Sequence, residues 1–134
     1  MPKRSFFPRF AFGGALYTLT EFAWRGCSHS SMFLLGGLCF CLIGLLSRTS
    51  WPHLWQLLCA VSLVTALEFF SGLLLNRVLK LGVWDYTGYF GNLLGQICPR
   101  YCLLWAPLCA LALHLNRALD RLCQRQAARH RAAL

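Results

Sequence analysis

Three of the four acidic residues, Glu21, Glu68 and Asp85, lie within or beside apolar stretches of the sequence. A carboxylate at the centre of a membrane-spanning helix costs at least about 2.5–3.5 kcal/mol on the insertion scale, so such a residue usually has a functional role. Glu21 precedes Arg25 by four residues, an order that favours an ion pair on one helix face. This pattern predicts a carboxylate-lined polar site near the outer face for a small polar or cationic solute or a lipid headgroup. The alternative is that these side chains only join helices through hydrogen bonds, in a structural or accessory membrane subunit.

His29 lies close to this pair, in a short stretch that also contains Ser28, Ser30 and Ser31. A histidine can titrate near neutrality, and beside carboxylates and hydroxyls it could act in acid–base chemistry on a lipid headgroup. A membrane-embedded enzyme acting on lipid is therefore an alternative function, but a catalytic triad needs geometry that sequence cannot supply. The eight cysteines contain no C-x-x-C pair, and we expect no metal, no cofactor and no disulfide framework.

Aromatic and amide side chains accompany Asp85. Tryptophan and tyrosine favour the membrane–water interface and also attract cations, so this segment predicts either an interfacial belt or an aromatic-walled mouth to the polar site. If the next helix begins near Asn92, Arg100 lies inside it and needs Glu21 or Glu68 as a partner. The candidate substrate-binding residues are Glu21, Arg25, His29, Glu68, Asn76, Trp84, Asp85, Tyr86, Asn92, Gln96 and Arg100.

The composition is typical of a membrane protein. The chain has 134 residues, of which 57% are hydrophobic and 13% charged, and its mean hydropathy is +0.53. A soluble domain has about 25% charged residues. The first apolar stretch contains Glu21 and has no clear small-residue cleavage site after it, so we expect a retained helix and not a signal peptide. We predict an all-α integral membrane protein with one transmembrane domain over residues 1–134 and helices at about 6–24, 32–46, 54–75 and 92–115.

Lysine and arginine are unequally distributed around these stretches. Nine lie at the two termini or between the second and third helices, and four lie at the opposite helix ends. The positive-inside rule therefore predicts a multi-pass protein of the cytoplasmic (inner) membrane with both termini cytoplasmic. Residues 21–32 and 77–92 are then expected toward the outer face.

The C-terminal tail, residues 116–134, repeats arginine every four positions from Arg117 to Arg129. This spacing predicts that the fourth helix continues as a basic amphipathic helix lying on anionic lipid in the cytoplasm, with a partner protein as the alternative. The net charge of +9 is concentrated at the chain ends, which in an apolar chain favours membrane lipid as the partner. We expect no nucleic acid.

Two segments are similar within the chain. An offset of 47 positions aligns Glu21 with Glu68, and an offset of 59 aligns residues 33–39 with residues 92–98. Because each unit would contain two helices, both copies would cross the membrane in the same sense. The pattern predicts two parallel helix–loop–helix repeats, and chance similarity between leucine-rich helices is the alternative.

A longer set of residues forms a further pattern: Glu21, Arg25, Gly26, Ser28, His29, Ser31, Met32, Gly36, Gly37, Glu68, Gly72, Asn76, Trp84, Asp85, Tyr86, Asn92, Gly95, Gln96 and Trp105. This pattern resembles that of a known family, the bacterial putative ABC-transporter type IV membrane proteins. The similarity covers about residues 13–106. Phe90 and Gly91 precede Asn92 where that family often has a proline. The resemblance implies a small polytopic membrane protein of the transport type, with no substrate or catalytic residue to carry over. The chain has no Gly-rich phosphate loop, so any ATPase would be a separate subunit, and a channel built from four helices would need a homo-oligomer.

Overall fold

Four apolar stretches fold into helices in the described part of the chain. The computed structural model describes the backbone of residues 3–133 and the side chains of residues 5–133. The helices are α1 (Lys3–Arg25), α2 (Ser30–Leu46), α3 (His53–Gly72) and α4 (Pro99–Ala132). The predicted all-helical class is confirmed for residues 3–133, where the only β-type contact is an isolated bridge between Leu93 and Ile97.

The helix ends follow local sequence signals. α1 ends at a left-handed glycine, Gly26 (φ +72°), whose N–H donates to the Phe22 carbonyl at 2.9 Å. Glycine is favoured at this position because it adopts a positive φ without steric cost. α2 begins after His29, whose ring nitrogen accepts a hydrogen bond from the Ser31 N–H. α3 begins after Pro52, and α4 begins with Pro99, which needs no N–H in the first turn.

α3 does not stop at Gly72 but continues as a π-helical turn, Leu73–Val78. The wider turn is seen in the bond from the Leu79 N–H to the Leu74 carbonyl, 2.8 Å long, which spans five residues. π-helical turns are uncommon and occur frequently at functional sites. This turn carries Asn76, one of the candidate residues.

α2 is the central helix and packs against each of the other three. Against α1 the backbones come very close, because glycines on each helix lie against the backbone of the other helix. A β-carbon built on Gly14 would lie 2.6 Å from the Phe33 carbonyl oxygen, and one on Gly37 would lie 2.7 Å from the Phe10 carbonyl oxygen. Small residues permit this approach, which drives helix association in lipid where the hydrophobic effect does not.

α1 and α4 are not packed backbone to backbone. α4 packs against α2 and α3, whereas α1 packs against α2. The two helices meet through long side chains, including the stacked rings of Tyr17 and Trp105, whose centroids are 5.6 Å apart. A cleft therefore remains between α1 and α4.

Two helices in the described chain are long and apolar enough to cross a membrane, His53–Val78 and Pro99–Ala132, and α2 is a shorter apolar helix. In their most apolar windows only 22% and 17% of the residues are buried within the protein. The core helix of a soluble protein would be mostly buried, so these exposed apolar surfaces indicate a membrane protein.

Two sequence expectations differ from the structure. The fourth helix begins at Pro99 and not near Asn92, because the preceding turn contains positive φ angles at Gly91, Leu94 and Gly95. As a result, residues 33–39 are helical in α2 while the aligned residues 92–98 form a turn. The internal repeat is thus not confirmed over this segment.

Candidate functional site

Glu68 is the most deeply placed carboxylate of the candidate set. It lies in α3 and is 4% exposed. Its Oε2 accepts a hydrogen bond from Trp105 Nε1 of α4 at 2.8 Å, and its Oε1 accepts one from the Tyr86 hydroxyl at 3.2 Å. Among the side chains of residues 5–133 it forms no ion pair. Both oxygens of the Glu68 carboxyl group are therefore bonded to uncharged donors.

Glu21 has a cationic partner, as the spacing predicts. Arg25 Nη1 donates to Glu21 Oε1 at 3.1 Å, and the Ser28 hydroxyl donates to Glu21 Oε2 at 2.7 Å. The same guanidinium reaches across to the loop before α4, where Nη2 donates to the Val83 carbonyl at 2.8 Å. Glu21 and Arg25 therefore tie the end of α1 to the loop that carries Tyr86.

The cleft between α1 and α4 joins these groups. Its larger part has a volume of about 350 Å³ and is lined by Glu21, Arg25 and Tyr86, with Trp105 at its inner end. A smaller cavity of about 90 Å³ continues inward to Glu68. The two parts share Tyr17, Thr20, Trp105 and Leu108 as lining residues. The two cavities therefore adjoin each other, with Glu21 lining the larger one and Glu68 the smaller one.

Stacked aromatic rings form the walls of this space. Tyr86 stacks on Tyr101 of α4 with a centroid distance of 4.5 Å and an interplanar angle of 8°, and Tyr17 stacks on Trp105. Burial and the nearby Glu68 carboxylate raise the pKa of the Tyr86 hydroxyl, so it remains a protonated donor. Rings of this kind hold cations against their faces.

Three of the candidate residues support the loop behind the cleft. Asn76 Oδ1 accepts the Val83 N–H at 2.7 Å, and Asn76 Nδ2 donates to Gln96 Oε1 at 2.9 Å. Trp84 Nε1 donates to the Gln96 carbonyl at 3.0 Å. Trp84 and Gln96 are buried at 6% and 4% exposure. Their polar atoms bond to the protein itself, and none of the three residues lines the two cavities.

Four other candidate residues lie outside the cavities. His29 is the exposed N-cap of α2, and Asp85 is exposed with its Oδ1 accepting the Thr87 N–H at 2.9 Å. That bond lowers the pKa of the Asp85 carboxyl. Asn92 bonds to backbone groups of its own turn. Arg100 lies over the Tyr89 ring at 5.6 Å and, within the described side chains, has no carboxylate partner, contrary to expectation.

A second polar cluster lies at the other end of the bundle and was missed in the sequence. Arg9 is 3% exposed and donates to Asn116 Oδ1 at 2.9 Å and to Asp120 Oδ1 at 2.6 Å. Arg48 also binds Asp120, at 2.6 and 3.0 Å. We call these four residues the Asp120 network. Arg9 and Asp120 are far apart in the chain, so no local spacing revealed the pairing.

The cleft combines acidic, basic and aromatic side chains. The lining includes two carboxylates, one guanidinium and six aromatic side chains, whereas His29 lies outside both cavities. No group of three or more His, Cys, Asp or Glu side chains is placed to hold a metal ion among the residues that the structure describes.

A family model described as "Putative ABC-transporter type IV" matches residues 6–132. The chain belongs to this family. The resemblance drawn from the sequence is therefore confirmed, and the match extends beyond the cleft residues into the C-terminal half of α4. No curated protein and no solved structure matches the chain. Family membership and the apolar helices are consistent with a membrane component of the transport type.

Proposed function

We propose that this ABC-transporter type IV family member binds a cationic group, of a small solute or of a lipid headgroup, in the cleft between α1 and α4 as part of transport. The observation that carries the proposal is Glu68. It is buried, it is held by two uncharged donors, and it lies beside a cavity. A buried carboxylate of this kind is costly unless a function requires it.

The charges around the cleft support a cationic occupant. Two carboxylates face one guanidinium, and that guanidinium is already paired with Glu21. With both carboxylates ionised, the site therefore has one negative charge without a partner. An amine or quaternary ammonium group would neutralise it and would also contact the aromatic walls.

The proposed membrane arrangement has four spans with both termini in the cytoplasm. The inner membrane and the inward termini rest on the lysine and arginine distribution. In this arrangement Arg25 and the loop after α3 lie at the outer face, where the cleft would receive its ligand. Two parallel repeats with Glu21 and Glu68 as counterparts remain part of the proposal, as do a homo-oligomer, a separate ATPase subunit and anionic lipid at the tail.

Cation accumulation in cells tests this function. A strain without the protein is complemented with the wild type or with Glu68→Gln, and uptake of labelled choline and efflux of ethidium are measured. We expect Glu68→Gln to reproduce the strain without the protein, since the neutral amide keeps the shape but lacks the charge. Asp85→Asn removes an exposed carboxylate that lines neither cavity and serves as the matched control. If Glu68→Gln shows the same uptake and efflux as the wild type when equal amounts of both proteins are in the membrane, the proposal is refuted.

A further inference from the structure

The cleft opens on the side of the bundle. Trp24 on the α1 wall is 59% exposed, and Leu104 on the α4 wall is 37% exposed. Thr20, Ala23 and Pro107 also line the cleft and are exposed on the outside of the bundle. Because the sides of a membrane helix face hydrocarbon, the mouth between α1 and α4 opens toward lipid tails and not only toward water.

The charged groups of the cleft lie at different depths, counted from the end of α1 toward the interior of the bundle. Arg25 ends α1, and Glu21 lies one turn, about 6 Å, farther along the helix axis. Glu68 lies behind the Tyr86 and Trp105 donors, in the smaller cavity. Arg25 bonds to Glu21 and to the Val83 carbonyl, and its guanidinium has further N–H donors for a phosphate near the helix end. The Glu68 carboxylate, deeper inside and without an ionic partner, matches an amine.

The size of the space indicates how much of a ligand it holds. About 350 Å³ is at the lower end of the range for ligand pockets, roughly 300–1,000 Å³. It can enclose a headgroup but not two acyl chains. The apolar rim formed by Leu104, Pro107 and Trp24 would leave the chains in the bilayer.

We propose that the ligand of the cleft is a phospholipid with a protonated amine in its headgroup, which enters sideways between α1 and α4 from the bilayer. Its phosphate binds Arg25, and its amine lies between the aromatic rings and the Glu68 carboxylate. This inference rests on the proposed function and narrows its substrate class from cations in general to amine-bearing phospholipid.

Native mass spectrometry of the full chain tests the inference. The protein is equilibrated in detergent with equal amounts of phosphatidylethanolamine and phosphatidylglycerol carrying identical acyl chains, and the bound lipid is counted. We expect the wild type to retain one phosphatidylethanolamine in preference to phosphatidylglycerol. In Glu68→Gln, we expect the affinity for phosphatidylethanolamine relative to phosphatidylglycerol to fall by more than about tenfold.

The lateral mouth has a matched pair of variants. Leu104→Trp places a bulky ring in the cleft wall, whereas Leu103→Trp makes the same change at a neighbouring residue that is 75% exposed and lines neither cavity. We expect Leu104→Trp to lose phosphatidylethanolamine and Leu103→Trp to keep it. Soluble phosphoethanolamine, which lacks acyl chains, should not displace the bound lipid.

The outcomes separate the two proposals. Equal retention of both lipids by the wild type, identical behaviour of the two tryptophan variants, or displacement by phosphoethanolamine would overturn the lipid assignment. If cation uptake nevertheless depends on Glu68 in those cases, the proposed function stands with a soluble ligand. If Glu68→Gln changes neither lipid retention nor uptake, both proposals fail.

Discussion

The Glu68 carboxylate differs from Glu21 in the nature of its partners. Glu21 has a guanidinium beside it, whereas Glu68 has a phenol and an indole. Hydrogen bonds to a charged acceptor contribute more than neutral ones, about 1.5–3 kcal/mol each. Uncharged donors can hold the carboxylate in place without neutralising it, which leaves its charge for a ligand.

Trp105→Phe tests this role of the indole. The substitution removes the Nε1–H that donates to Glu68 but retains an aromatic ring against Tyr17. We expect the free energy of unfolding in mixed micelles to fall by about 1.5–3 kcal/mol. Trp55→Phe, in an exposed position on α3, is the control and should cost much less. Equal losses in the two variants would contradict the structural role assigned to the indole.

Asp85→Asn tests a residue that we predicted from the sequence to bind substrate. Its Oδ1 accepts the Thr87 N–H on an exposed loop, and an asparagine oxygen can accept the same bond. We therefore expect unchanged uptake and unchanged lipid retention in the assays described for Glu68. A loss as large as that of Glu68→Gln would place Asp85 back among the binding residues.

The sequence predicted the part of the site that depends on local spacing. Glu21 and Arg25 are four residues apart on one helix, so their ion pair follows from helical periodicity. Helical spacing could not predict the partners of Glu68, since Trp105 lies 37 residues away on another helix. The family resemblance alone pointed to Trp105, and Arg9 was only counted among the basic residues at the two termini.

At the scale of helices, the contact between α1 and α2 depends on glycine. Gly14 and Gly37 each lie against a backbone carbonyl of the other helix, which cannot move aside as a side chain can. The same contact sets the position of α1 and hence the width of the cleft that α1 forms with α4.

Gly37→Ala should therefore separate α1 from α2. The added β-carbon would lie 2.7 Å from the Phe10 carbonyl oxygen, and overpacking of this kind costs about 1–3 kcal/mol. Gly88→Ala is the matched control, because a β-carbon there meets no atom within 4 Å. Circular dichroism during unfolding in mixed micelles compares the two. A control variant as unstable as Gly37→Ala would show that the close contact is not the cause.

The lengths of the apolar stretches predicted that the helices exist, but they did not predict where α4 starts. In the sequence, residues 92–98 resemble the beginning of the apolar stretch that follows them, and only Pro99 indicates a first helical turn. The turn forms because Asn92 and Gln96 bond to the loop and because Gly91 and Gly95 adopt positive φ angles. These are tertiary and backbone effects that periodicity does not contain.

In the whole molecule, α1 is fixed to α4 at two levels. The Tyr17–Trp105 stack lies beside the cleft, and the Asp120 network lies at the opposite end. Arg48 joins the segment between α2 and α3 to the same carboxylate. The Asp120 side chain favours the charged form of Arg48 and raises the pKa of that guanidinium. The bundle is thus closed by charge at one end and open between α1 and α4 at the other.

The number of membrane spans decides whether this open end of the bundle faces outward. The accessibility of two exposed cysteines can distinguish the possible numbers of spans. Cys27 follows α1 and Cys123 lies near the end of α4, and both are exposed thiols. With four spans the two thiols lie on opposite sides of the membrane. If only α3 and α4 crossed, the chain before α3 and the end of α4 would share one side.

Labelling intact cells with a membrane-impermeant maleimide distinguishes the two arrangements. We expect the wild type to be labelled, Cys27→Ser to lose the label and Cys123→Ser to retain it, because four spans place Cys27 outside and Cys123 in the cytoplasm. Permeabilised cells should label at both positions, which controls for reactivity. Cys39, Cys41, Cys98 and Cys109 are buried and should not contribute. Labelling of both thiols or of neither in intact cells would contradict four spans, and the cleft would then not face the outer leaflet.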